Sequence, residues 1–271
     1  MGGRFRRALV PLALAACLAL IPGPPAAPWG VQAPEVVTLA AKATTASAWS
    51  AAPSPAPAAA LGLAAAQASA KHVDCTKTKC IALTFDDGPG PYTLTVLRAL
   101  QASHARATFF VLGKNVAAHP ETLRRLVAAG MVVGDHSWDH REYTRLSAAQ
   151  QKSETSRTAQ AIVAAGVPAA TLFRPPYGAF NSATKRLGWP LILWDVDTLD
   201  WKNRNASATT TRALATARRG SIVLMHDIVP STAKAVPGII RRLQAKGYTL
   251  VTVPELLGTT RPGVVYTNGS R

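Results

Sequence analysis

From residue 80 onward, short apolar runs alternate with helix-like segments. That alternation limits the chain to a parallel sheet covered by helices, because strand–helix–strand units join parallel neighbours. Residues 81–85, 107–112, 131–135, 171–173, 191–196, 222–225 and 248–253 read as strands. Residues 93–103, 121–129, 147–165, 182–187, 208–219 and 233–246 read as helices, with apolar side chains three and four apart. Gly130, Gly166, Gly188, Gly220 and Gly247 sit where helix C-termini favour a residue without a Cβ. A barrel and a doubly wound sheet both satisfy this pattern.

The unusual polar residues fall where the predicted strands end. Asp86-Asp87 follow the first strand, His136 to His140 the third and Arg174 to Gly178 the fourth. Asp197 to Trp201 follow the fifth, and His226-Asp227 the sixth. In parallel barrels the C-terminal strand ends form one rim, where active sites gather. Five clusters at five strand ends point at one place.

His136 and His140 are spaced to share one face of a helical turn. With Asp87 on the same rim they form a two-histidine, one-carboxylate set, which suits a catalytic metal with an open position. Non-haem iron oxygenases use the same set, so the ligands alone leave the reaction open. Asp86, His226 and Arg174 favour hydrolysis, since they offer a base, an acid and a cation to pair with a carboxylate. Asp197 or Asp200 is available to orient His226. Asp135 and Asp139 flank the histidines and read as outward-facing, solvated acids.

TFDDGP, HSWDH, RPPYG, DTLDW and IVLMHD resemble, in order, the five motifs of the polysaccharide deacetylases, carbohydrate esterase family four. The resemblance runs from about residue 80 to about residue 257. It implies a distorted (β/α) barrel with about seven parallel strands that removes acetyl groups from sugar polymers. By that likeness Asp87, His136 and His140 would bind a divalent ion, zinc first, with cobalt or manganese as alternatives. Asp86 would be the base, held by Arg174, and His226 the acid, oriented by Asp200. Trp201 and Leu224 would wall the acetyl pocket, and the Tyr177 N–H would meet the oxyanion. Peptidoglycan, chitin oligomers and acetylxylan are the substrates such an enzyme would meet. A catalytically silent glycan-binding barrel is the reading from another class.

Upstream, Arg4, Arg6 and Arg7 precede an apolar run over residues 8–21, too short for a bilayer span but suited to a secretory signal. Residues 1–33 are read as a signal peptide and 34–70, rich in Ala and Pro, as a flexible linker. The catalytic domain is expected over 71–260 and a tail over 261–271. Leu14-Ala15-Ala16-Cys17 resembles a lipoprotein box that would tether the protein by Cys17 to the outer face of the membrane; cleavage near Ala27 or Ala33 is the competing reading. Export leaves Cys75 and Cys80 able to pair. Residues 71–271 hold 26 basic against 13 acidic residues, a net +13, which favours polyanionic partners. Outside the cytoplasm nucleic acid is not expected among them. A secreted monomer is the expectation.

Overall fold

The computed structural model describes residues 73–269. The expected signal peptide and linker, with Cys17, lie outside the described residues. The chain order begins β1 (Cys80–Asp86), α1 (Thr93–Ala102), β2 (Thr108–Val111), α2 (Gly113–Ala118), α3 (Pro120–Ala128), β3 (Val132–Asp135), α4 (Ala148–Ala164) and α5 (Ser182–Lys185). It continues with β4 (Leu191–Ile192), β5 (Val196–Asp197), α6 (Asp200–Asn203), α7 (Ala206–Thr216) and β6 (Ile222–His226). Last come α8 (Pro230–Ala245), β7 (Thr249–Val251), α9 (Val253–Leu257) and β8 (Val265–Tyr266). A capping box between Ser147 and Gln150 starts α4 where the sequence expected a helix to begin.

The strands hydrogen-bond in the order β3-β2-β1-β6-β5, and all these pairings are parallel. On the edge of β1 opposite β6, β7 pairs with Cys80–Ala82 and β2 with Thr84–Asp86. Phe173 bridges in parallel to Asp135 on one side and Leu191 on the other, so the sheet curls from β3 through Phe173 to β4. The chain then runs from β4 into β5, back beside β6. This is a distorted α/β barrel.

Two predicted strands are shorter than expected, for identifiable reasons. Residues 171–173 contribute only the bridges at Phe173. Pro175 and Pro176 follow directly, and proline has no N–H to give a ladder. The strand expected over 191–196 breaks into β4 and β5. At the break the carbonyls of Ile192 and Leu193 accept from the Arg174 guanidinium instead of from a neighbouring strand. Near the C-terminus, Val265–Tyr266 forms β8 beside β4 within the segment read as a tail.

Side-chain alternation along β1 sorts the core into two layers. Ile81, Leu83 and Phe85 pack outward, where Phe85 stacks on Phe109 at 5.1 Å and joins Val236, Ile239 and Leu243 of α8. Cys80 and Ala82 face inward with Phe110, Ile192, Ile222 and Val251. Further along the same inward face stand Thr84 and Asp86. At the entrance to β1, Cys75 and Cys80 form a disulfide with Cα atoms 5.5 Å apart. Among the described residues no helix is long and apolar enough to cross a membrane.

Ile239 of α8 is fully buried within the outer layer. Ile239→Ala is expected to lower unfolding free energy by about 2–5 kcal/mol, as large-to-small core changes do. Urea titration reads this as a lower midpoint at unchanged slope.

Candidate active site

Arg174 fills the centre of the barrel with no solvent exposure. Its Nη1 donates to Asp86 Oδ1 at 2.7 Å and to Thr84 Oγ1 at 2.8 Å. Nε and Nη2 donate to the carbonyls of Ile192 and Leu193, both at 3.0 Å, and Cζ lies 4.1 Å from the centre of the Phe110 ring. Burial pulls the Arg174 pKa down, and the Asp86 carboxylate opposes that shift. With Oδ1 committed to Arg174, Asp86 turns Oδ2 toward His136, 3.7 Å from its Nε2.

Alternation would send Asp87 to the opposite face from Asp86. A left-handed backbone, φ +74°, breaks the alternation. Asp87 Oδ1 thereby lies 3.6 Å from His136 Nε2 and 3.5 Å from His140 Nε2. The next residue must be glycine, because a Cβ on Gly88 would lie 2.5 Å from Asp227 Oδ2. Burial raises the Asp227 pKa to about 7, against a hydrogen bond from Thr93 and with the help of Asp87's charge.

The histidine turn is not helical, contrary to expectation. Ser137 and His140 both have left-handed φ, +75° and +69°. Asp135, expected to face solvent, is fully buried and accepts the Ser137 N–H through Oδ1 at 2.8 Å. Ser137 Oγ then accepts the His140 N–H at 3.0 Å. Local hydrogen bonds of this kind compete with helix, and here they curl the loop so that both imidazoles face Asp87. Asp139 is exposed, as expected. His136 Nδ1 lies 2.7 Å from the Arg174 carbonyl. A carbonyl only accepts, so Nδ1 donates and Nε2 is the ring nitrogen left facing Asp87. Burial, with the neighbouring His136, lowers the His140 pKa, while Asp87 works the other way.

One ligand atom from each of Asp87, His136 and His140 lies within 4.8 Å of the others. Asp87 Oδ1 is buried and has no hydrogen-bond partner. A carboxylate oxygen without a hydrogen-bond partner, facing the outward nitrogens of two imidazoles, is an arrangement that a cation completes. The donor set fits a divalent ion.

Asp86 and His226 are register partners on adjacent parallel strands. His226 Nδ1 meets Asp200 Oδ1 at 2.8 Å, and the His226 backbone N–H donates to Asp200 Oδ2, also at 2.8 Å. Thr232 Oγ1 adds a third hydrogen bond to that carboxylate. Asp200 is therefore the partner of His226. Asp197 instead accepts the Leu199 N–H and shapes a turn. Burial works to lower the His226 pKa, but Asp200's hydrogen bond and charge, with Asp86 and Asp87, raise it to about 9. Burial likewise works to raise Asp200, and its bonds to His226 and Thr232 hold it below the usual value.

A cavity of about 420 Å³ gathers Asp86, Asp87, His136, His140, Tyr177, Trp201, Leu224 and His226 on one wall-to-wall surface. Arg174 and Asp200 stand buried behind it. Trp194, Ile228 and Arg204 also line it, and sequence reasoning missed them. Ile228 directly follows a motif, whereas Trp194 lies three residues before DTLDW and Arg204 three residues past it.

Because the folded His226 pKa lies above its unfolded value near 6.5, the pair's stabilisation is full below pH 6.5 and fades as pH rises through about 9. Asp200→Asn removes the raising charge, so the His226 titration is expected to move down, toward or below 6.5. Imidazole NMR signals followed against pH in the metal-free protein check this; an unmoved midpoint contradicts it.

A family model described as polysaccharide deacetylase matches residues 73–189. The peptidoglycan-N-acetylglucosamine deacetylase PgdA of Listeria monocytogenes is 43% identical over 182 residues, covering 66% of this chain and 39% of PgdA. The peptidoglycan-N-acetylmuramic acid deacetylase PdaC of Bacillus subtilis is 43% identical over 180 residues, covering 66% of this chain and 38% of PdaC. The chain thus spans about two fifths of the length of these curated relatives. A solved structure, the T48 deacetylase with substrate, aligns with a TM-score of 0.70 at 50% identity, covering 72% of this chain and 99% of that one. Half-identity to a deacetylase matched almost end to end leaves one assignment: the chain belongs to the polysaccharide deacetylase family.

Proposed function

We propose that this protein is a secreted, metal-dependent hydrolase that removes acetyl groups from N-acetylated cell-wall glycan. The observation that carries the reading is the pairing of Asp86 with His226 across two adjacent strands, beside a ligand trio and at the floor of one cavity. Two relatives named as peptidoglycan deacetylases, PgdA and PdaC, support that polymer, as does the net +13 of residues 71–271.

Asp87, His136 and His140 would hold the ion. Zinc is the ion proposed, since two imidazoles and a carboxylate suit it, with cobalt or manganese as substitutes. When bound, a divalent cation supplies Lewis acidity to water and to the acetyl carbonyl. Asp86 is the base: Arg174 fixes Oδ1, and Oδ2 receives the proton of the attacking water. The Tyr177 N–H is assigned the developing oxyanion, on the strength of its left-handed backbone, φ +60°, at the cavity wall. His226, protonated at neutral pH, gives its proton to the departing amine, and Asp200 keeps the ring turned toward it. Leu224 and Trp201 exclude water around the acetyl methyl.

The two adjacent carboxylates have separate tasks and separate by mutation. Asp86→Asn is expected to retain the ion while turnover falls roughly 10²–10⁴-fold, the usual worth of a general base. Asp87→Asn is expected to lose the ion, with partial rescue at excess metal. Bound metal and acetate release are measured for both variants on peptidoglycan, chitin oligomers and acetylxylan. Full activity of wild-type protein after verified metal removal overturns the mechanism.

A further inference from the structure

The cavity is rich in acid groups, yet each is already engaged. Asp86 pairs with Arg174, Asp87 belongs to the ligand trio, and Asp197 accepts the Leu199 N–H. Among the lining residues Arg204 is the only lysine or arginine. Its side chain is exposed, and its guanidinium has no ion-pair or hydrogen-bond partner among the described residues. Some other arginines are paired with carboxylates, Arg106 with Glu255, Arg145 with Glu142 and Arg218 with Asp195, but none of these lines the cavity.

The backbone holds Arg204 at a defined place. Arg204 is left-handed, φ +46° and ψ 38°, directly after α6, and its N–H donates to the Asp200 carbonyl at 3.0 Å. Position C-terminal to a helix in this conformation favours glycine or asparagine, so an arginine there carries a local conformational cost. Leu199, φ +51°, is left-handed at the other end of the same four-residue helix. The bracketed turn presents Asp200 to His226 and Trp201 to the rim. Arg204 is thus anchored to the residue that orients the acid, with its charge at the mouth of the cavity.

The neighbouring rim is apolar. Tyr177, Trp201 and Ile228 are 67%, 50% and 38% exposed, high for large hydrophobic side chains. Flat apolar side chains suit the faces of sugar rings, and a free guanidinium beside them suits a planar carboxylate, which it binds through two parallel hydrogen bonds. A neutral glycan would leave that guanidinium with water alone.

We propose that Arg204 is a specificity-determining residue that binds a carboxylate carried by the glycan next to the acetylated sugar. The preferred substrate class is then a carboxylate-bearing amino-sugar polymer, in preference to a neutral chitin- or xylan-type one. This rests on the deacetylase reading above. The net +13 of residues 71–271 draws in any polyanion from a distance, whereas Arg204 reads the charge in contact.

The test compares full-length, metal-loaded wild type with Arg204→Gln, Arg204→Lys and Arg204→Glu. Four probes are used: peptide-free peptidoglycan strands with free lactyl carboxylates, strands bearing stem peptides, stripped strands with those carboxylates converted to amides, and chitin oligomers of matched length. The readout is the ratio of kcat/KM on carboxylate-bearing to amidated strands. In Arg204→Gln this ratio is expected to fall roughly 10-fold to 100-fold, the range for a charged hydrogen-bonded contact, and to fall through KM. Arg204→Lys restores part of it, and Arg204→Glu falls further. A preference lost with peptide-free strands assigns the lactyl group; one lost only with peptide-bearing strands assigns the stem peptide. A ratio unchanged in both Arg204→Gln and Arg204→Glu overturns the role of Arg204 while leaving the deacetylase intact. A kcat that falls equally on all probes, unrescued by lysine, overturns it in favour of a structural role. Wild type that releases acetate from none of the four overturns the deacetylase reading and this proposal with it.

Discussion

A buried guanidinium has to be met on every side, and in this barrel Arg174 is met by three separate pieces of the fold. It bonds the inward face of β1 at Thr84 and Asp86, and it takes two carbonyls from the break between β4 and β5. Its own carbonyl accepts from His136. An unpaired charge in such a place costs several kcal/mol, so these contacts cannot be lost one at a time without penalty. Removing Arg174 would strand Asp86 as a buried carboxylate, typically a loss of about 3–5 kcal/mol. The departure from a regular barrel follows from the same demand, since carbonyls given to Arg174 are withdrawn from the sheet.

Left-handed residues answer the next constraint. Strand alternation alone can aim only every second side chain into the cavity, yet Asp86 and Asp87 both face it. The left-handed turn at Asp87 resolves this, and left-handed backbone recurs at Ser137, His140, Tyr177, Leu199 and Arg204. All six belong to the loops that follow strands on the site's side of the barrel. Such conformations cost roughly 1–3 kcal/mol each for ordinary residues and persist where surrounding bonds fix them. Asp135 under Ser137, and Asn115 donating to the Asp87 carbonyl at 2.7 Å, are such bonds.

The sheet and the site were legible in the sequence to different depths. Strand–helix alternation led to a parallel sheet, the family resemblance to a barrel, and the five polar clusters to the residues that now line or back one cavity. What could not be read was anything set by long-range partners. The spacing of His136 and His140 looked helical, but a carboxylate two residues before Ser137 recruits the backbone into a turn. Asp135 looked solvated because a lone acid at a strand end usually is; its burial depends on helix α4 closing over the loop, where Glu154 accepts the Trp138 N–H. The split of residues 191–196 depends on an arginine nearly twenty positions earlier. The residues alone left Asp197 and Asp200 open and the family resemblance favoured Asp200; the bonds themselves come from α6, whose first residue reaches across to β6.

The site contains the same ion pair twice, with its polarity reversed. In one, the carboxylate of Asp86 faces the cavity and the cation of Arg174 stands behind it. In the other, the cation of His226 faces the cavity and the carboxylate of Asp200 stands behind it. Both hidden partners are fully buried, so neither can exchange its charge with solvent. Each therefore fixes the ionic character of the group in front. An anionic group with one free oxygen and a cationic ring with one outward nitrogen then stand on adjacent strands, at register-paired positions. The proposed hydrolysis of an acetamide needs a proton removed on one side and delivered on the other, and reversing one pair relative to its neighbour would supply that asymmetry.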